Sequence, residues 1–303
     1  MSRRRQLTAV FGAVGILLIT VGYLASVRNT DSPARATRAA SRTPAASPPS
    51  TTPTAPSPAP AAPVVGPTKA GRIVVFGDSL MHEAHSFLAW DLGDLGPIES
   101  HTYPMTAPCD FRDSFDRALV DPPSMAVFEF SGNAMTNCMS NDDGSFPDAN
   151  GIAARYAADA ATITERFAAA GTTVVWVDAP RGRPDASGTG QFSGPEPFTA
   201  AIYRAIAQRF DALGLDVRFV AAGGSVLTER GAWTATLPCD PADIAAAACH
   251  DGAAVVRAPD GAHFCPSAIS DAGGTCSVWS SGAWRYAEAI ARALRAIASP
   301  LAT

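Results

Sequence analysis

Beyond its first residues the sequence has no block rich in lysine or arginine, and its formal charge is −5 with 17% charged residues. A protein that grips a phosphate backbone normally carries a basic footprint, so no nucleic-acid partner is expected. No segment repeats at a period that would build a solenoid or a propeller. No C-x-x-C pair occurs among the six cysteines, which leaves a zinc site without its usual spacing. After Gly71 there is also no long apolar run of the kind that would form the lid of a long-chain lipase. What remains is a 303-residue chain with 47% hydrophobic residues, enough for one sizeable core or two small ones.

The long apolar run stands at the beginning. Arg3, Arg4 and Arg5 precede LTAVFGAVGILLITVGYLASV (Leu7 to Val27), which stays uncharged over about the 20 residues that a bilayer core requires of a helix. A cleaved signal peptide has a shorter core, ~7–15 residues, followed by an A-x-A-like site. Leu24-Ala25-Ser26 matches that site poorly. Residues 1–27 therefore read as an uncleaved anchor, a single membrane pass with the arginines in the cytoplasm and the remainder outside. Secretion after signal cleavage is the alternative.

Residues 28–71 are dominated by Pro, Ala, Ser and Thr. They hold too little large apolar surface to offset the entropy of ordering and are expected to form a disordered, semi-rigid tether. Cys109, Cys138, Cys239, Cys249, Cys265 and Cys276 all follow it. An even count in an exported chain points to disulfides. Sequence alone does not choose among the many pairings, but the shortest loops join Cys109 to Cys138, Cys239 to Cys249 and Cys265 to Cys276. The rival is a zinc site built from the last four cysteines with His250 or His263.

From residue 72 to 303, short β-rich runs alternate with helical patterns, which predicts one α/β domain around a parallel sheet. Strands are expected at Ile73–Phe76, Ile98–Thr102, Met125–Phe130, Thr173–Val177 and Val217–Val220. Helices are expected at Leu80–Leu92, Gly151–Ala170, Pro197–Leu213 and Gly282–Ala298. In the last, Ala287, Ile290, Leu294 and Ile297 recur at helical spacing and should face the sheet. The stretch PRGRPDASGTGQFSGPEP after the fourth strand reads as a loop at the sheet's carboxyl edge, where doubly wound folds bind ligands.

VVFGDSLMHEA (Val74 to Ala84) runs an apolar strand into Gly-Asp-Ser and then into helical sequence. Ser79 is thereby placed at the carboxyl edge of the sheet and at a helix N-terminus, whose partial positive charge favours an oxyanion. Asp78 and Ser79 are also good helix caps, a reading that needs no chemistry. A serine hydroxyl becomes a nucleophile when a histidine, steadied by a carboxylate, takes its proton. Of the five histidines, His82 and His85 follow Ser79 on its helix, His101 lies at a strand, and His250 sits among the cysteines. Only His263, in RAPDGAHFC, has an aspartate, Asp260, three residues earlier across a glycine. The bland reading of that stretch is an Asx-type turn. In FEFSGNAMTN, Gly132-Asn133 follows the third strand, where an exposed amide could reach the same edge or merely cap a loop.

Gly77-Asp78-Ser79-Leu80, Gly132-Asn133 and Asp260-Gly261-Ala262-His263 resemble, in that order, blocks I, III and V of the SGNH, or GDSL, hydrolase superfamily, over roughly Arg72 to Ala298. The resemblance implies a three-layer α/β/α sandwich of flavodoxin-like type with a central parallel sheet. It also implies ester hydrolysis with Ser79 as nucleophile, His263 as base and then acid, and Asp260 orienting it. Asn133 and the Ser79 amide would be oxyanion donors, and no metal or organic cofactor is implied. One block departs: TYPMTAPCDF, after the second strand, lacks the family's glycine, so Met105 or Thr106 must supply the third amide. Anchor, tether and Ala-, Arg- and Pro-rich composition look like an actinobacterial envelope protein. The expected function is an extracytoplasmic serine esterase that removes short acyl groups, acetyl foremost, from envelope glycan or a small ester. Acyl transfer to envelope sugars and a non-catalytic wall-binding module are the alternatives.

Overall fold

The computed structural model describes residues 71–184, 197–266 and 276–299. The expected anchor, the tether up to residue 70 and residues 185–196 of the loop after the fourth strand lie outside the described residues. Among the described residues no helix is long and apolar enough to cross a membrane.

Five parallel strands form the central sheet: β1 (Ile73–Gly77), β2 (Ile98–Thr102), β3 (Met125–Glu129), β4 (Thr173–Val177) and β5 (Val217–Val220), in the order β2-β1-β3-β4-β5. Ile73 pairs with Ile98 on one side and Met125 on the other. Every residue of β1 and β3 is buried, as nearly continuous apolar strands covered on both faces should be. Alternation then assigns the two faces. Ile73 and Val75 pack toward α1 (Ser79–Leu92) and, from the end of the chain, α6 (Ser281–Ala298). Val74 and Phe76 pack toward α2 (Arg112–Val120), α3 (Ala149–Ala169) and α4 (Phe198–Asp211).

The first face is aliphatic, with Leu80, Ala84 and Leu88 of α1 meeting Ala287, Ile290 and Leu294 of α6. Ile297 is only partly buried at its border. The second face is aromatic. Phe76, Phe128, Trp176 and Tyr203 stack in sequence, with ring centroids 5.4, 4.9 and 4.4 Å apart. Each large side chain so buried contributes roughly 1.5–3 kcal/mol. The result is the three-layer sandwich that the sequence predicts.

Four small elements escape the sequence pattern: α2, β6 (Thr236–Pro238), α5 (Pro241–Ala245) and β7 (Ala253–Val255). Helix α2 is a short, polar segment that buries only Phe115 and Ala118. Strands β6 and β7 are three residues each, too short for a period to show, and they pair antiparallel around a connection closed by Cys239–Cys249. The other disulfides are Cys109–Cys138 and Cys265–Cys276, so all three follow the shortest loops. No cysteine is free, and the zinc reading has no thiolate to use. Because β2 and β3 lie on opposite sides of β1, the strand order reverses at β1 and β3, and a crevice opens at their carboxyl ends.

Candidate active site

Strand β1 delivers its last residues into that crevice. Asp78 caps α1, its Oδ1 accepting the N–H of Leu80 at 3.1 Å, and Ser79 is the first helical residue, 7% exposed. The turn is possible because position 77 has no side chain. A Cβ on Gly77 would collide with Cβ of Met81 and lie 2.8 Å from the carbonyl oxygen of Glu129.

His263 arrives from the segment between β7 and α6. Its Nε2 lies 2.9 Å from Ser79 Oγ, and its Nδ1 lies 2.6 Å from Asp260 Oδ2. The other oxygen of Asp260 accepts the backbone N–H of Ala262 at 2.8 Å and of His263 at 3.0 Å. One carboxylate therefore makes the Asx turn and orients the ring; the bland and the chemical readings of this aspartate are both realised. The hydrogen bond from His263 holds the Asp260 carboxyl well below the usual carboxylate range. In return the hydrogen bond to Asp260 raises the imidazole above the ordinary histidine value, against the opposing effect of burial. With the Nδ1 proton directed at Asp260, Nε2 is left to accept from the serine hydroxyl.

The loop after β3 closes the other side. Gly132 has φ 115°, and a Cβ there would meet Phe198 Cε1 at 2.7 Å, so both its backbone angle and its neighbour require glycine. Asn133 Nδ2 donates to Asp78 Oδ2 at 2.9 Å and to the carbonyl of Thr106 at 3.2 Å. Asp78 Oδ2 also accepts the backbone N–H and the hydroxyl of Ser131, both at 2.6 Å. The buried Asp78 thus ties the Ser79 turn to the Asn133 loop, and Asn133 ties that loop to the segment after β2. Cys109–Cys138 joins the same two loops covalently. Within that segment Met105 has φ 61°, the left-handed region that glycine enters freely and that costs another residue about 1–2 kcal/mol. Its side chain is exposed.

The remaining histidines do not join the site. His82 Nδ1 lies 3.0 Å from Thr102 Oγ1, His85 Nδ1 lies 2.6 Å from the carbonyl of His82, and His101 pairs with Glu99. The backbone N–H of His250 bonds to Ala253. Three ionisable residues that no motif marks do join it. Glu83 of α1 accepts the N–H groups of Phe264 and Cys265. Glu129, the last residue of β3, is fully buried and accepts the N–H of Met81 at 3.1 Å. Arg257 is 2% exposed and donates to the carbonyls of Ala262 and Arg181 at 2.9 and 2.8 Å. Burial pushes its guanidinium down to about 10. A charged residue inside an otherwise apolar strand, as in FEF, is the signal that could have marked Glu129.

The chain was compared with known proteins. No family model and no curated protein matches the chain. A putative acylhydrolase from Bacteroides fragilis superposes with TM-score 0.45 and 13% identity, covering 75% of this chain and 88% of that one. A GDSL-like lipase from Bacteroides thetaiotaomicron gives TM-score 0.44 and 11% identity over 75% and 87%. The catalytic domain of a peptidoglycan O-acetyltransferase from Streptococcus pneumoniae gives 0.44 and 15% over 76% and 97%. At these identities and scores the likeness is one of outline, and the case for chemistry rests on the distances above.

Proposed function

We propose that this chain is an extracytoplasmic serine esterase of the SGNH type that removes short acyl groups, acetyl foremost, from glycans of the cell envelope. The observation that carries the reading is the single line of hydrogen bonds from Ser79 Oγ through His263 to Asp260, at 2.9 and 2.6 Å. In the proposed reaction His263 Nε2 takes the Ser79 proton as Oγ bonds to the ester carbonyl carbon. The resulting oxyanion faces the Ser79 N–H, which at the first position of α1 has no partner within the helix. Asn133 Nδ2 is the second donor, its longer bond to the Thr106 carbonyl yielding to the oxyanion. The Met105 amide is the third. Removing one such donor costs ~10²–10³ in turnover. Collapse of the intermediate expels the sugar alkoxide, which takes the proton back from His263. Water, deprotonated by His263, then attacks the acyl-serine; the acyl–Oγ bond breaks, Ser79 Oγ takes the proton from His263, and the carboxylic acid leaves.

A sugar hydroxyl in place of that water would make the same site a transferase. The half-exposed Asp260 and His263 leave the edge of the site open to a bulky acceptor. Residues 1–27 supply the proposed membrane pass and residues 28–71 the tether that reaches the glycan. Full-length protein should hydrolyse p-nitrophenyl acetate and release acetate from acetylated wall glycan, and Ser79→Ala should lower both by roughly 10⁴-fold or more. Acetylated sugar instead of free acetate would assign transfer. Equal inertness of wild type and variant, with both binding the glycan, would leave a wall-binding module.

A further inference from the structure

Glu83 has no part in the reaction just described, yet it is 1% exposed and stands one helical turn after Ser79 on α1. Positions four apart share a helix face, so the carboxylate and the hydroxyl address the same neighbouring segment. Oε2 of Glu83 accepts the N–H of Phe264 at 2.6 Å and of Cys265 at 3.1 Å, the two residues that follow His263. Oε1 is buried with no hydrogen-bond partner. An unpaired buried acceptor is destabilising, more so when charged, a cost that simple packing against α1 would avoid with an apolar residue.

The segment is pinned from its other sides as well. Ser280, the cap of α6, donates its hydroxyl to the carbonyl of Phe264 at 2.9 Å, and Arg257 holds the carbonyl of Ala262. Among the described residues, only Glu83 connects it to the element that bears Ser79 by bonds adjacent to the ring. We propose that Glu83 is a positioning residue: it fastens the His263 segment to the helix that carries Ser79 and so sets the distance over which the proton moves. The inference rests on the esterase reading.

Charge follows from the same geometry. The groups facing Glu83 are His263 and Asp260 from the turn and Arg257 from the stretch before it. His263 in turn faces Asp260, Glu83 and the buried Asp78. Burial raises the Glu83 carboxyl above its ordinary value, and the charge of His263 and the two converging N–H donors oppose it. In its ionised form Glu83 favours the imidazolium.

The test compares full-length wild type, Glu83→Gln and Glu83→Ala for p-nitrophenyl acetate turnover across pH, with thermal unfolding as the control for folding. Glu83→Ala should lose on the order of 10²-fold in kcat with KM little changed, the effect of a displaced catalytic group. Glu83→Gln keeps an acceptor and should recover most of kcat, but its acid limb should move to lower pH because the anion is gone. A folded Glu83→Ala with wild-type kcat, or a Glu83→Gln whose acid limb does not move, overturns the proposal; the second outcome decides the matter if the alanine variant does not fold. An inert wild type sinks the esterase reading and this inference with it. An active wild type with indifferent Glu83 variants sinks the inference alone.

Discussion

Asp260 accepts from His263 Nδ1 at 2.6 Å and raises the proton affinity of the ring, so the neutral base needed for attack is populated only above the ordinary histidine value of ~6.5. Esterase kcat/KM should therefore be low in acid and rise through an apparent pKa above that value. Asp260→Asn should move this limb to lower pH and reduce the rate by up to roughly 10⁴-fold; a limb that stays in place would contradict the assignment. Ser79 and His263 are legible in sequence because each carries its own local grammar, Gly-Asp-Ser at a strand end and Asp-Gly-Ala-His in a turn. Glu83 and Arg257 are not. Their roles come from backbone groups brought in from distant segments, such as Phe264 against Glu83, and no spacing along the chain encodes that.

At the scale of elements, the carboxyl end of β3 carries a stability cost. Burial, and then the neighbouring charge of Asp78, raise the Glu129 carboxyl well above its ordinary value. Asp78, with N–H and O–H donors from Leu80, Ser131 and Asn133, is the member of the pair that holds the negative charge. Glu129 keeps its proton in the folded protein and loses it in the unfolded chain above ~4.5, so folded protein binds more protons and stability falls as pH rises toward the folded pKa. Glu129→Gln, which keeps an acceptor for the Met81 N–H, removes that dependence. The melting temperature of the variant relative to wild type should climb between pH 5 and pH 9, and a constant difference would refute it. On the aromatic face, Trp176 is fully buried and donates its Nε1 proton to Thr164 Oγ1 at 2.8 Å. Trp176→Ala should cost about 3–5 kcal/mol in urea unfolding. The central strands are readable as nearly continuous apolar runs, and α6 as a helix with one periodic apolar face. By contrast β6, α5 and β7 are too short for a period, and α2 is polar and buries only two residues.

For the whole molecule, the crevice between β1 and β3 gathers segments from opposite ends of the described chain. Ser79 opens the first helix, just after the first strand, and His263 lies just before the last helix, while disulfides hold both flanking loops. The fold class is legible from the alternation of strand and helix, and the strand order follows from the few ways such units close. The proposed membrane pass predicts that the full chain sediments with membranes and that deletion of residues 1–27 releases it; sedimentation unchanged by the deletion would remove the anchor from the account. The central claim is that Ser79 is activated by its meeting with His263. Fluorophosphonate labelling of the native full-length chain, followed by mass mapping of the adduct, tests it most directly. The account predicts a single phosphonylated serine at position 79 that disappears in His263→Ala and in urea; native protein left unlabelled at Ser79, or labelled equally well without His263, would contradict it.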